Sequence, residues 1–133
     1  MSTTLTKIAE LNFDEESSLL HIRVIEGAEM NLQNTIEHYQ TIEKITGGKK
    51  YVALVDASEY YSIQPDAMTF AALPQIIEKR IATAHYQTSL GNKLTLDFYK
   101  KFHKPSLAIN NFQTKEEAAA WLKGRLQEAD FKN

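Results

Sequence analysis

The chain contains no cysteine among its 133 residues. That absence excludes a disulfide scaffold, a thiolate zinc site and a cysteine nucleophile. Neither charge dominates: 15 Lys+Arg stand against 17 Asp+Glu, a formal net charge of -2. Bulk attraction to nucleic acid or to anionic lipid is therefore not expected. No run approaches the roughly 18 apolar residues needed to span a bilayer, and the polar start Met1-Ser2-Thr3-Thr4 does not read as a signal peptide. Linkers, repeats and low-complexity tracts are missing too. These exclusions leave the expectation of a cytoplasmic protein forming one domain over residues 1–133. A chain of this length buries roughly two thirds of its unfolded surface, enough for one core without staples.

What is present alternates between two hydrophobic periods. The odd positions Leu5, Ala9, Leu11 and Phe13 are apolar, with Lys7 the exception, which predicts one half-buried strand. The polar cluster Asp14–Ser18 turns it into a second strand, Leu19–Ile25, giving an antiparallel hairpin. Asn31 is placed to cap a helix whose apolar stripe is Leu32, Ile36, Tyr39, Ile42 and Ile45, and Gly47-Gly48 stops it. Tyr51–Val55 is continuously apolar, as in a strand covered on both faces, and its mid-chain position predicts the sheet centre. Pro65 suits the first turn of a helix over Asp66–Lys79. Pro74, inside that span, predicts a kink or two consecutive short helices. Strand Ile81–Thr88, helix Lys93–Phe102 with its stripe Leu94, Phe98 and Phe102, and strand Leu107–Ile109 follow. Thr114 and Glu117 form a capping box ahead of a last helix striped by Ala118, Trp121, Leu122 and Leu126. The order ββαβαβαβα predicts an α/β fold, a mixed five-stranded sheet with helices packed on it.

Ligands of open α/β sheets usually meet the loops at the carboxyl ends of the strands. That rule gathers Asp56, Ser58, Ser89, Asn92 and Asn110 on one rim, with Tyr60 and Tyr61 beside it. Hydroxyls and amides suit recognition better than acid–base chemistry. Each also has a plain structural role: Asp56 and Ser58 as a side-chain turn, Ser89 and Asn92 as helix caps, Asn110-Asn111 as a turn. Tyr60, Tyr61, Met68 and Phe70 are candidates to line an apolar groove, although most such residues simply pack a core. The four histidines, His21, His38, His85 and His103, have no partner at metal-ligand spacing, so no metal or other cofactor is expected. Gly47-Gly48-Lys49-Lys50 leaves a helix and enters a strand, the reverse of a phosphate loop. The basic cluster Lys100-Lys101-His103-Lys104 reads as a solvated face.

Tyr51-Val52-Ala53-Leu54-Val55-Asp56-Ala57-Ser58, Arg80–Ala84 and Phe112–Leu122, in this element order, resemble the SpoIIAA-like fold of STAS domains and of uncharacterised bacterial STAS/CRAL-TRIO-like proteins. The resemblance covers nearly the whole chain. In anti-sigma-factor antagonists of that family, Asp-Ser-Ser-Gly follows the central strand and its second serine is phosphorylated. By that likeness Asp56 matches the aspartate and Ser58 the serine, while Ala57 and Glu59 depart from the pattern. The Glu59 carboxylate beside Ser58 would repel a phosphate. The CRAL-TRIO relatives imply a different role, an apolar ligand held between helices and sheet, here in a small pocket. The expected function is thus a non-enzymatic regulatory module acting through protein–protein contact. The alternative is a carrier of a small apolar, lipid-like ligand. No nucleophile–base or carboxylate pair recommends an enzyme. A homodimer is compatible with this size, and the sequence leaves it open.

Overall fold

The computed structural model describes residues 3–132. The odd-position alternation that reads as one strand is in fact two, β1 (Thr4–Leu5) and β2 (Ala9–Asp14). The Thr6 hydroxyl accepts hydrogen bonds from the backbone N–H groups of Ile8 and Ala9, and Thr6 N–H donates to Ala9 O. That local turn folds β1 back onto β2, with Leu5 opposite Glu10. Leu5 is consequently exposed rather than part of the core. β2 then pairs antiparallel with β3 (Leu19–Val24), and Asp14 Oδ1 accepts from Glu16 N–H to close the intervening turn.

The remaining elements run β4 (Glu29–Met30), α1 (Leu32–Thr46), β5 (Tyr51–Asp56), β6 (Ser62–Ile63), α2 (Pro65–Ala71), α3 (Pro74–Ile77), β7 (Arg80–Tyr86), α4 (Leu90–Phe102), β8 (Ala108–Phe112) and α5 (Lys115–Lys132). The main sheet has six strands rather than five, in the order β1-β2-β3-β5-β7-β8, and β4 and β6 form a separate two-stranded ribbon. From β3 onward the main-sheet pairs are parallel. Pro74 does divide the second helical region, ending α2 before it and starting α3 with it. Asn31 caps α1 in a reciprocal box with Asn34, and Gly47 closes it in the left-handed conformation at φ 64°.

The layering follows from chirality. The chain steps in one direction through β3, β5, β7 and β8, and right-handed crossovers in a single direction place every connecting helix on the same face. That face carries α1, α2, α3 and α4 and packs on Leu11, Leu20, Ile22, Ala53 and Val55. The opposite face is left to α5, whose Ala118 and Leu122 are buried on Val52, Leu54, Ala82 and Ala84.

Two helical readings and one strand end are corrected. The buried face of α1 is Thr35, His38, Ile42 and Thr46, rotated from the predicted stripe, so Leu32 is exposed and His38 is inside. On α4 the stripe Leu94, Phe98 and Phe102 points outward, and only Asn92 and Leu96 are buried. Asn110 and Asn111 extend β8 instead of forming the loop after it.

Candidate functional site

The carboxyl-end rim is partly assembled. Asp56 ends β5, and its Oδ1 accepts from Ser58 N–H at 3.1 Å and from Ser58 Oγ–H at 2.7 Å, a side-chain turn. Ser89 caps α4, its hydroxyl accepting from Asn92 N–H, and its own N–H donates to Ala57 O. Asn92 is completely buried. Its amide donates to Ala57 O and Glu59 O, both at 2.7 Å, and accepts from Tyr61 N–H at 3.3 Å. It therefore clamps the loop after β5 to the first turn of α4. Tyr60 is 62% exposed and lies over Gly91, whereas Tyr61 turns inward. Asn110 is the residue that does not join: it pairs with Ala84 inside the sheet, two positions short of the rim.

A concave feature lies elsewhere, beneath the helices of the crowded face. It is a cavity of about 140 Å³ between α1, α2, α4 and the sheet. Ile22, Val24, Val55, Tyr61, Met68 and Leu96 supply apolar wall. Phe70 is not part of that wall; it packs edge-on against Tyr39 instead. Polar side chains also face in, among them Thr35 and His38 from α1 and Arg80, Thr83 and His85 from β7.

A bulge aims β7 at this cavity. Tyr51 lies opposite Arg80 but Val52 lies opposite Ala82, so Ile81 is an extra residue. Beyond it Ala82, Ala84 and Tyr86 face α5, while Thr83 and His85 line the cavity. Unbroken alternation would send Arg80 to the α5 side. The bulge exchanges the two, so Ile81 packs toward α5 and Arg80 reaches the cavity.

Arg80 is held there by aromatic faces. Its guanidinium carbon lies 5.4 Å from the Tyr39 ring centre and 5.5 Å from that of Tyr51, and Nε donates to Tyr51 Oη at 3.2 Å. Among the described residues it makes no ion pair, and no Asp or Glu lines the cavity. Arg80 Nη2, Thr35 Oγ1 and His85 Nδ1 are buried without a hydrogen-bond partner. Leaving such a group unsatisfied costs about 1–3 kcal/mol. Burial, reinforced by the Arg80 charge and for His85 also by Lys100, holds His38 down at about 3 and His85 down at about 4. Both rings are neutral at neutral pH. The cavity thus combines apolar walls, neutral polar groups and one unpaired cation.

Sequence reading gives Arg80 and Thr35 no site role and weighs His38 and His85 only as metal ligands. The trace of His85 is its alternation, with Thr83, against the buried Ala82 and Ala84, and that of Thr35 and His38 is helical spacing with Ile42; Arg80 falls outside the alternation. Among the described residues no group of three or more His, Cys, Asp or Glu is placed to hold a metal ion. No helix there is long and apolar enough to cross a membrane.

A family model described as a domain of unknown function (DUF7793) matches residues 13–125. No curated protein matches the sequence. Among solved structures, an uncharacterised protein from Shewanella loihica PV-4, of the DUF3478 family and described as having a SpoIIAA-like fold, superposes with a TM-score of 0.62. The match covers 92% of this chain and 98% of that one at 16% identity. At that identity the likeness establishes the fold.

Proposed function

We propose, on the premise that the chain belongs to the DUF7793 family of domains of unknown function, that it is a binding module for a small, largely apolar ligand. The carrying observation is the cavity of about 140 Å³ under α1, α2 and α4. Well-packed domains hold few voids larger than a water molecule, and a cavity of roughly 150 Å³ lined by aliphatic and aromatic side chains accepts benzene. The size favours an occupant of about six to ten heavy atoms over a long-chain lipid. On the rim the Ser58 hydroxyl is spent on a local turn with Asp56, Ser89 on capping α4 and Asn92 on clamping the loop, which supports binding over catalysis.

Toluene tests the reading. At ten times its Kd, mass action would stabilise the fold by about 1.4 kcal/mol, a Tm rise of roughly 5 °C. Methyl resonances of Ile22, Val24 and Val55 should shift saturably in the same titration. Unmoved methyls and an unchanged Tm, for toluene and for polar analogues of the same size, would remove the proposal.

A second reading, regulation through protein–protein contact, is favoured by the outer face of α4. Leu90, Leu94, Phe98 and Phe102 are exposed there in one line, beside the rim that carries Asp56 and Ser58. A second copy of the chain is one partner compatible with it.

A further inference from the structure

The cavity wall carries a cation and unpartnered polar groups that a purely apolar occupant would leave unused. From these groups we infer that the ligand is a small carboxylate, an aryl or short-chain alkyl acid, whose anionic head docks on Arg80 with Thr35 and His85. This rests on the reading of the cavity as a ligand site and adds the ligand's chemical class.

Three observations carry it. The first is the missing counter-charge. A guanidinium stays protonated at any ordinary pH, yet Arg80 has no acidic partner among the described residues and no carboxylate lines the cavity. The rings of Tyr39 and Tyr51 lie against the guanidinium plane, the Tyr51 hydroxyl engages Nε, and Nη2 remains buried and free. The second is Thr35. The hydroxyls of Thr41, Thr46, Thr69 and Thr95 all donate to the carbonyl four residues earlier in their helices. Thr35 is 2% exposed and its hydroxyl makes no such bond. The third is His85, 9% exposed, with Nδ1 unpartnered and the ring on the cavity wall. As a neutral imidazole it offers one N–H.

Together these are a cationic donor and two neutral groups able to donate, a set suited to a carboxylate with its several acceptor positions. A fully charged phosphate of equal body size would ask for more donors than these three. The aliphatic and aromatic walls take the remainder of the molecule, and the volume limits that remainder to about one benzene ring. The bulge at Ile81 acquires a purpose here, because without it Arg80 would lie on the other side of the sheet.

The test compares isosteres in which the carboxylate is replaced by a neutral amide, which removes the charge and turns one acceptor oxygen into a donor. Benzoate and pentanoate are titrated against benzamide and pentanamide, at pH 7.5 and fixed ionic strength, with the full chain and with Arg80→Met. The wild-type protein should bind each acid at least about tenfold more tightly than its amide, charge-assisted hydrogen bonds being roughly twice as strong as neutral ones. In Arg80→Met that preference should fall below about threefold while toluene binding persists. Should the variant fail to fold, the wild-type acid-to-amide ratio still decides. Toluene or the amides binding as tightly as the acids would overturn the carboxylate while leaving the cavity a ligand site. If neither acids, amides nor toluene bind, the ligand-site reading falls and the carboxylate with it.

Discussion

Asn92 shows how one side chain decides whether the rim exists. Fully buried near the start of α4, it satisfies Ala57 O, Glu59 O and Tyr61 N–H, three backbone groups of a loop with little structure of its own. Asn92→Ala should destabilise the protein by about 2–4 kcal/mol, since three buried backbone groups lose their partner and a void opens. Urea denaturation measures this, and a loss below about 1 kcal/mol would show that the loop holds itself. The sequence marks the position as a helix cap and as a residue of the candidate rim, and not as a clamp. An amide's reach to a segment more than 30 residues away leaves no local pattern. Asp56 and Ser58 are the opposite case: their mutual hydrogen bonds span two residues, and such a turn is legible from the residue types alone.

At the scale of elements, α1 and α4 show why spacing identifies a helix better than its orientation. α1 forms over the span its cap and periodicity indicate, and α4 starts at Leu90, three residues before the expected Lys93; the predicted stripe of α1 is turned partly aside, with Ile42 still buried, while α4 buries the face opposite its stripe. On α4 the outward stripe Leu94, Phe98 and Phe102 is 62%, 46% and 61% exposed, while Leu96 on the other side is 5% exposed. Leu94→Gln and Phe98→Gln should therefore each change stability by no more than about 0.5 kcal/mol. Leu96→Ala should cost about 2–4 kcal/mol. Thermal denaturation of the three variants checks this, and equal losses would place the stripe in the core. A periodic stripe states that one face is apolar, and it carries no information about whether that face meets the sheet.

The whole molecule stores its polarity on the inside of one layer, which makes stability depend on pH. His38 and His85 hold folded-state values of about 3 and about 4, below the ordinary 6.5, because burial and Arg80 oppose their charge. Below 6.5 the unfolded chain takes up protons that the folded chain refuses. Their contribution is thus complete above about 6.5 and lost as pH falls toward 4. At pH 5 the loss is on the order of 2 kcal/mol per ring relative to pH 7.5. Urea midpoints across that range should fall, and a His85→Gln variant should show a shallower fall. A flat profile from pH 7.5 to 5 would contradict the burial of both rings.

The sequence by itself determined most of the elements and their order, though not the split of the first strand or the β4–β6 ribbon. It also determined the split at Pro74 and the α/β class, because capping, turn chemistry and hydrophobic period are short-range effects within one element. The sixth strand escaped it because the Thr6 turn interrupts a pattern that reads as continuous. Only the tertiary structure decided which faces meet. Three crossovers in one direction crowd α1 to α4 onto a single face, and a one-residue bulge between β5 and β7 carries Arg80 across the sheet into the cavity they leave. Alternation along β7 predicts the other side for that arginine. The bulge is a relation between two strands separated by more than 20 residues, and pairing of that kind is settled only when the sheet forms.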